Sequence, residues 1–218
     1  MSTITITAFQ WAPEFARGLV RDLRVRWALE EAGLEYRERL LGMGDQKSSE
    51  HRKRQPFEQI PTYEENGLVL FESGAIVLHI ANQSEALMPA DPGGRARVTA
   101  WIFAALNSIE PAIANLAEID LFHSERDWAS QRRPDLVERV SGRLGQLSRW
   151  LDRREYLEGD RFTAADLMMT TVLRIPRNTD LVEQHSNLAE YRERCQTRPA
   201  FRQALANHLA PFDKAETA

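Results

Sequence analysis

Read along the chain, apolar and polar positions divide the sequence into two regimes. The first 83 residues alternate between two periods. Thr3 to Phe9 is β-branched with a period of two, which predicts a strand. Val20 to Ala32 follows helical spacing, with Val25, Ala28, Leu29 and Ala32 on one face and Gly33 placed to cap it in the left-handed conformation. Tyr36 to Leu41 reads as a second strand. Residues 42–56 are polar and read as a loop with a short exposed helix. Ile60–Glu64 and Leu68–Phe71 are short apolar runs joined by Asn66-Gly67, a hairpin signal, and Pro61 heads the first of them. Helical spacing resumes over Ala75–Ala81. The predicted order is β-α-β-(α)-β-β-α.

The rest is helical throughout. Gln83–Gly94 holds two prolines and two glycines and reads as a linker. Val98, Trp101, Ile102, Ala105, Leu106 and Ile109 keep a 3.6-residue period. Pro134 is expected to begin another helix, which buries Leu136, Val140, Leu144, Leu147 and Leu151. Thr163-Ala-Ala-Asp166 is a capping pattern that opens a further helix. Residues 188–209 read as one or two shorter helices divided near Pro199. The expected domains are residues 1–83, a linker over 84–94, and an all-α domain over 95–218.

Composition narrows the function. The formal net charge is -4, and each half carries two more acidic than basic residues. No clustered positive surface is therefore expected, which argues against nucleic acid as a partner. There is no apolar run of membrane-spanning length and no signal-peptide pattern, so no membrane association and a cytoplasmic location are expected. The single cysteine, Cys195, excludes an intrachain disulfide and a cysteine-rich zinc site, and it reads as a buried thiol. The five histidines show no metal-ligand spacing. No metal is expected.

Several segments, in order, carry a resemblance. Ala28-Leu-Glu-Glu-Ala-Gly33 looks like the end of a characteristic first helix. Pro56-Phe-Glu-Gln-Ile-Pro61 looks like a segment ending in a cis-proline. Phe71-Glu-Ser-Gly-Ala-Ile76 and Leu157-Glu-Gly-Asp-Arg-Phe-Thr-Ala-Ala-Asp166 match two further elements. Together the chain resembles the cytosolic glutathione transferases. The resemblance implies a thioredoxin-like α/β N-terminal domain, an all-α C-terminal domain, a homodimer, and glutathione as co-substrate.

It also implies a glutathione site. Ile60, before Pro61, would offer its backbone N–H and C=O to the cysteinyl unit, as an extended peptide pairs with an exposed strand edge. Ser73 lies at a helix start, where free N–H groups favour a carboxylate. Its hydroxyl would serve the γ-glutamyl carboxylate, although a serine there also fits a simple cap. Glu72 would receive the γ-glutamyl ammonium, Gln59 the peptide or its neighbouring loop, and Lys47 the glycyl carboxylate. Thr163 and Asp166 read as structural.

The departure from the family lies after the first strand. Phe9-Gln-Trp-Ala-Pro-Glu-Phe-Ala-Arg-Gly18 contains no Tyr, Ser or Cys, the residues that the family uses to hold the thiolate, and this loop is longer than usual. Three sources stay open. They are backbone N–H groups near Val20–Asp22, the charge of Arg17 or Arg21, and a bond from Gln10 or the Trp11 indole, with Trp11 preferred. The second-substrate pocket is expected to involve Phe15 on this loop and Trp101, Phe103, Ala104, Asn107 and Ser108 on the first long helix of the helical half.

The expected function is conjugation of glutathione to a small apolar electrophile. A glutathione-dependent peroxidase, isomerase or dehalogenase on the same fold is the alternative enzyme. A non-catalytic ligand-carrying or protein-interaction module is the alternative of another class.

Overall fold

The structure is a computed structural model that describes residues 3–216. Four strands form one mixed sheet in the order β2-β1-β3-β4. β1 (Ile4–Phe9) pairs in parallel with β2 (Tyr36–Leu41), from Ile4 opposite Tyr36 to Phe9 opposite Leu41. β3 (Tyr63–Glu65) runs antiparallel to β1, and β4 (Leu68–Leu70) antiparallel to β3. Asn66 and Gly67 join the last two with positive φ at both positions, as a type I′ turn requires. The parallel β1–β2 pair needs a crossover, supplied by α1 (Asp22–Ala32). Gly33 ends α1 at φ 66°, and its N–H bonds back to the last turn. A single turn, α2 (Ser49–Arg52), and α3 (Ser73–Ala81) complete this part of the chain. The short helix expected in residues 42–56 is α2; it is exposed except for its buried His51.

The helical part begins inside the expected linker. α4 (Pro92–Ala104) is capped by Asp91, whose carboxylate accepts the Gly94 N–H at 2.7 Å. Only glycine fits at 94, because a Cβ there would stand 2.6 Å from the Asp91 carboxylate and 2.7 Å from Pro89. After α4, residues Ala105–Ile109 form a π-helical turn that leads into α5 (Glu110–Phe122). Pro111 supplies a reason: it lacks the N–H that would bond the Asn107 carbonyl, so the ladder slips to five-residue spacing. α6 (Asp127–Leu151) corrects the reading of Pro134 as a helix start. Pro134 lies inside α6, and the helix begins two turns earlier, where Ala129 is fully buried. Its expected core face, Leu136, Val140, Leu144, Leu147 and Leu151, is buried.

α7 (Ala164–Leu173) is wholly buried. Its capping box closes as the sequence predicts, and Asp166 does more than cap. Its carboxylate accepts the N–H groups of Leu157 and Thr163 and the Tyr191 hydroxyl, each at 2.9 Å. Tyr191 belongs to α8 (Ser186–Gln196), so one buried side chain joins a loop, α7 and α8. Cys195, also on α8, is buried.

The chain forms two compact units. One runs through Met88 and resumes at Thr197; the other is Pro89–Gln196. The difference from the expected division lies in the last helix, α9 (Pro199–Glu216), which packs on α1. Trp27 and Phe201 meet edge to face at 4.8 Å, and Arg198 grips Glu31 with two bonds of 2.6 and 2.7 Å. Pro199 does divide α8 from α9.

Asp166→Ala removes the acceptor of two buried N–H groups and of the Tyr191 and Thr163 hydroxyls, each unmade bond costing about 1–3 kcal/mol. Urea denaturation of this variant is expected to show a loss of about 3 kcal/mol or more, with Asp166→Asn losing less.

Candidate functional site

Two segments singled out by sequence lie side by side in the first unit. The rings of Phe57 and Phe71 meet at 6.2 Å, which brings the segment leading to Pro61 against the one leading to Ser73. The Ile60–Pro61 peptide is cis, as the resemblance implied. The segment is held on both flanks. Upstream, the buried His51 donates from Nε2 to the Gln59 carbonyl at 2.7 Å. Downstream, the Thr62 N–H donates to the Thr7 hydroxyl at 2.7 Å, and the Thr7 N–H to the Thr62 carbonyl at 3.1 Å. Thr7, the hydroxyl nearest the expected thiolate position in the sequence, is thus fully buried and committed to this clamp. Between the clamps, the backbone N–H and C=O of Ile60 have no partner among the described residues.

Ser73 is the first residue of α3 and is buried. Its reading as a plain cap is corrected: the cap position is Glu72, and the Ser73 hydroxyl accepts a bond from Arg24 Nη1 at 3.2 Å. That bond occupies a lone pair of the hydroxyl, so its hydrogen points elsewhere, free to donate. Glu72 has φ 66°, a conformation unusual for a side-chain-bearing residue, and its exposed carboxylate makes no cap bond. Gln59 and Lys47 are exposed, the latter on the single turn Asp45–Lys47.

The loop from Gln10 to Arg21 is built in three parts. The Gln10 N–H joins β2 through the Leu41 carbonyl at 2.9 Å. Arg17 Nε donates to the Ala12 carbonyl at 3.1 Å and closes a turn over Glu14–Ala16. The guanidinium of Arg17 also lies over Phe212 of α9, 5.8 Å from the ring centroid. The Gly18 N–H donates to His208 Nε2 at 3.2 Å. Trp11 is 43% exposed, and no bond to its indole N–H occurs among the described residues. Phe15 is exposed on the same loop.

In the second unit, the Trp101 ring stacks on Trp150 at 5.2 Å, and Trp150 donates to the Leu157 carbonyl at 3.1 Å. Asn107 and Ser108 are exposed on the π-helical turn, and Phe103 is exposed one turn before it. Turns of this kind recur at functional sites. Among the described residues, no group of three or more His, Cys, Asp or Glu could hold a metal ion, and no helix is long and apolar enough to cross a membrane.

Sequence reasoning missed Arg24, His51 and His208. Arg24 was within reach: it falls four residues before Ala28 on the apolar face of α1, where a charge needs a partner.

The glutathione S-transferase N-terminal domain model matches residues 16–82, and the corresponding C-terminal domain model matches residues 121–199. Glutathione S-transferase 4 of Zea mays is 30% identical over 97% of this chain and 95% of its own length. The chain belongs to the glutathione S-transferase family. The protein URE2 of Candida glabrata is 25% identical over 69% of the chain and 54% of its own length. A glutathione transferase of Burkholderia graminis, solved with two glutathione molecules bound per subunit, superposes with a TM-score of 0.82. That match covers 94% of this chain and 88% of the other at 24% identity, and it shows the shared fold.

As in the family, the strand β1 leads into the loop that precedes α1. Here the first turn of α1 places a carboxylate, Asp22, in a fully buried position. Burial is the largest single influence and would raise its pKa. His208 and Arg26, bonded to Oδ2 at 3.0 and 2.7 Å, together outweigh it and hold the carboxyl below its ordinary value. The folded state therefore favours charged Asp22. Its stabilising contribution is complete above the unfolded carboxylate pKa of about 3.9 and is lost as pH falls through the lowered folded value. Asp22→Asn is expected to lower the denaturation midpoint at neutral pH. The gap to the unsubstituted protein should then close as the pH drops below about 4.

Proposed function

We propose that this protein binds glutathione in its first unit and conjugates it to a small apolar electrophile. The observation that carries the reading is the Ser73 hydroxyl at the start of α3, held by Arg24 and flanked by the clamped Ile60 segment. Glutathione offers complementary groups. Its γ-glutamyl carboxylate suits the α3 N-terminus and the Ser73 hydroxyl, and its ammonium suits Glu72. Its cysteinyl backbone suits the N–H and C=O of Ile60, with Gln59 beside it. Lys47 is the partner proposed for the glycyl carboxylate. The glutathione-bound Burkholderia graminis relative supports the same ligand.

The chemistry asked of the protein is to hold the thiol as thiolate. The sulfur lone pair then forms a C–S bond at the electrophilic carbon, the leaving group departs with the electrons of its bond, and the thiol proton goes to solvent. Trp11 is the proposed donor to the sulfur, because it stands two residues past β1 and its indole N–H has no partner among the described residues. Arg17, bonded to Ala12, is proposed to act by shaping the loop, with its charge as a background contribution. Exposed Asn107 and Ser108 on the π-helical turn, with Trp101 on α4, are proposed to contact the electrophile.

Two copies are proposed to form the functional unit. Phe57 is 66% exposed, and the exposed Phe71 ring beside it extends this apolar surface. Sedimentation should give twice the chain mass, and Phe57→Ser should shift it toward the monomer.

A second reading, a glutathione-fold module without transfer activity, is favoured by the missing Tyr, Ser or Cys after β1. One titration separates the two. Glutathione is added calorimetrically, and the ultraviolet thiolate absorbance of the complex is followed against pH. The transferase reading expects binding, and a bound thiol pKa well below the free value of about 8.5. Ser73→Ala should weaken binding by about 1–3 kcal/mol, and Trp11→Phe should return the thiol pKa toward the free value. Binding with an unshifted pKa supports the module instead, and no binding at millimolar glutathione overturns both.

A further inference from the structure

The groups that the sequence offers for the thiolate lie on the loop between β1 and α1 or at the start of α1, and the last helix holds that loop. We propose that His208 is a positioning residue for the glutathione thiolate, acting through the Gly18 amide to fix the loop that presents Trp11. The proposal rests on the glutathione reading above.

The His208 side chain is fully buried, and both ring nitrogens are used. An amide N–H can only donate, so Nε2, which receives the Gly18 N–H at 3.2 Å, carries a lone pair. The ring hydrogen then sits on Nδ1 and donates to Asp22 Oδ2 at 3.0 Å. Asp22 is in turn bonded to Arg26, and Arg26 to Glu38 on β2. The imidazole is therefore fixed in tautomer and orientation from the sheet side, and its Nε2 lone pair faces the loop, where it accepts the Gly18 N–H.

From His208 the constraint runs back to Trp11 in short steps. Gly18 turns the chain at φ 75° and is preceded by Arg17. Arg17 binds the Ala12 carbonyl, and Ala12 follows Trp11 directly. A parallel path reinforces this one: Phe212 packs edge-on against the His208 ring at 5.2 Å and lies under the Arg17 guanidinium. Packing of α9 on α1 alone would be served by apolar side chains, which bury without the desolvation that an imidazole and a carboxylate incur. What the polar pair adds is a directed acceptor for one loop amide, 190 residues away in sequence.

Two near-isosteric substitutions separate positioning from packing. His208→Gln places an acceptor where Nε2 stands. His208→Asn keeps a partner for Asp22 but reaches no farther than Nδ1, and so releases Gly18. Each is compared with the unsubstituted protein for glutathione affinity by calorimetry, for the bound thiol pKa by ultraviolet titration, and for kcat and KM with an activated aryl halide. Hydrogen exchange of residues 10–21 is followed in parallel. The Asn variant is expected to keep glutathione affinity within about twofold, since the Ser73 and Ile60 groups are separate from the pin. Its bound thiol pKa should rise, its kcat should fall by about ten- to a hundredfold, and exchange in the loop should accelerate. The Gln variant should restore most of each.

The positioning role is overturned if the Asn variant loosens the loop while the thiol pKa and kcat stay unchanged, or if Gln and Asn fail equally. Should either variant not fold, the ¹⁵N shifts of the unsubstituted His208 ring decide: a hydrogen on Nε2 overturns the assignment. Failure of the unsubstituted protein to bind glutathione overturns the glutathione reading with it. Normal binding with an unresponsive thiol overturns the positioning role alone.

Discussion

A carboxylate out of contact with water anchors the first unit. Asp22 stands in the first turn of α1, where a negative charge complements the helix N-terminus, but burial alone would expel it or protonate it. It is retained because two cationic or proton-donating neighbours converge on one of its oxygens. Through those neighbours it ties α1 to β2, by way of Arg26 and Glu38, and to α9, by way of His208. The parallel β1–β2 pair, the crossover helix and the last helix therefore meet at one charge. A surface ion pair would contribute little. A buried one is costly to break, because the survivor is left uncompensated.

The same logic recurs in the second unit, with a different outcome. Asp166 takes no cation among the described residues; it is satisfied by two amides and two hydroxyls. It closes a helix start and joins three segments. The contrast with Ser73 is instructive. Ser73 also sits at a helix start, but its hydroxyl accepts from Arg24 and leaves its own hydrogen uncommitted. Polar residues in the first turn of a helix thus separate into structure and candidate chemistry by what fills the last hydrogen-bonding valence.

The parts of the fold that were legible in the sequence are those set by local rules. Gly33 after an apolar stripe, Asn66-Gly67 between two short runs, and Thr163 three residues before Asp166 each fixed an element end, and each needs only its neighbours to act. Pro134 was misread because proline favours a helix start, whereas the turns before it are fixed by burial of Ala129, a tertiary fact. The allegiance of α9 was not legible for the same reason: its apolar face could pack on any helix. Of the candidate site, Ile60, Ser73 and Glu72 were singled out through ordered motifs. Arg24 showed a signal, a charge on the apolar face of α1, but not its partner 49 residues away, and His208 showed none, with its partner 186 residues away.

The return of the last helix to the first unit makes the chain non-vectorial. A polypeptide emerging N-terminus first generally folds domain by domain in order. Here the sheet, α1 and α3 emerge early, but the face of Trp27 that Phe201 covers, and Glu31, which Arg198 neutralises, wait for the final segment. The helical unit between them is complete by Gln196 and can close while its predecessor is still unfinished. The unit that begins first is thus completed only after the helical unit, and the nascent chain carries an uncovered tryptophan until α9 has emerged.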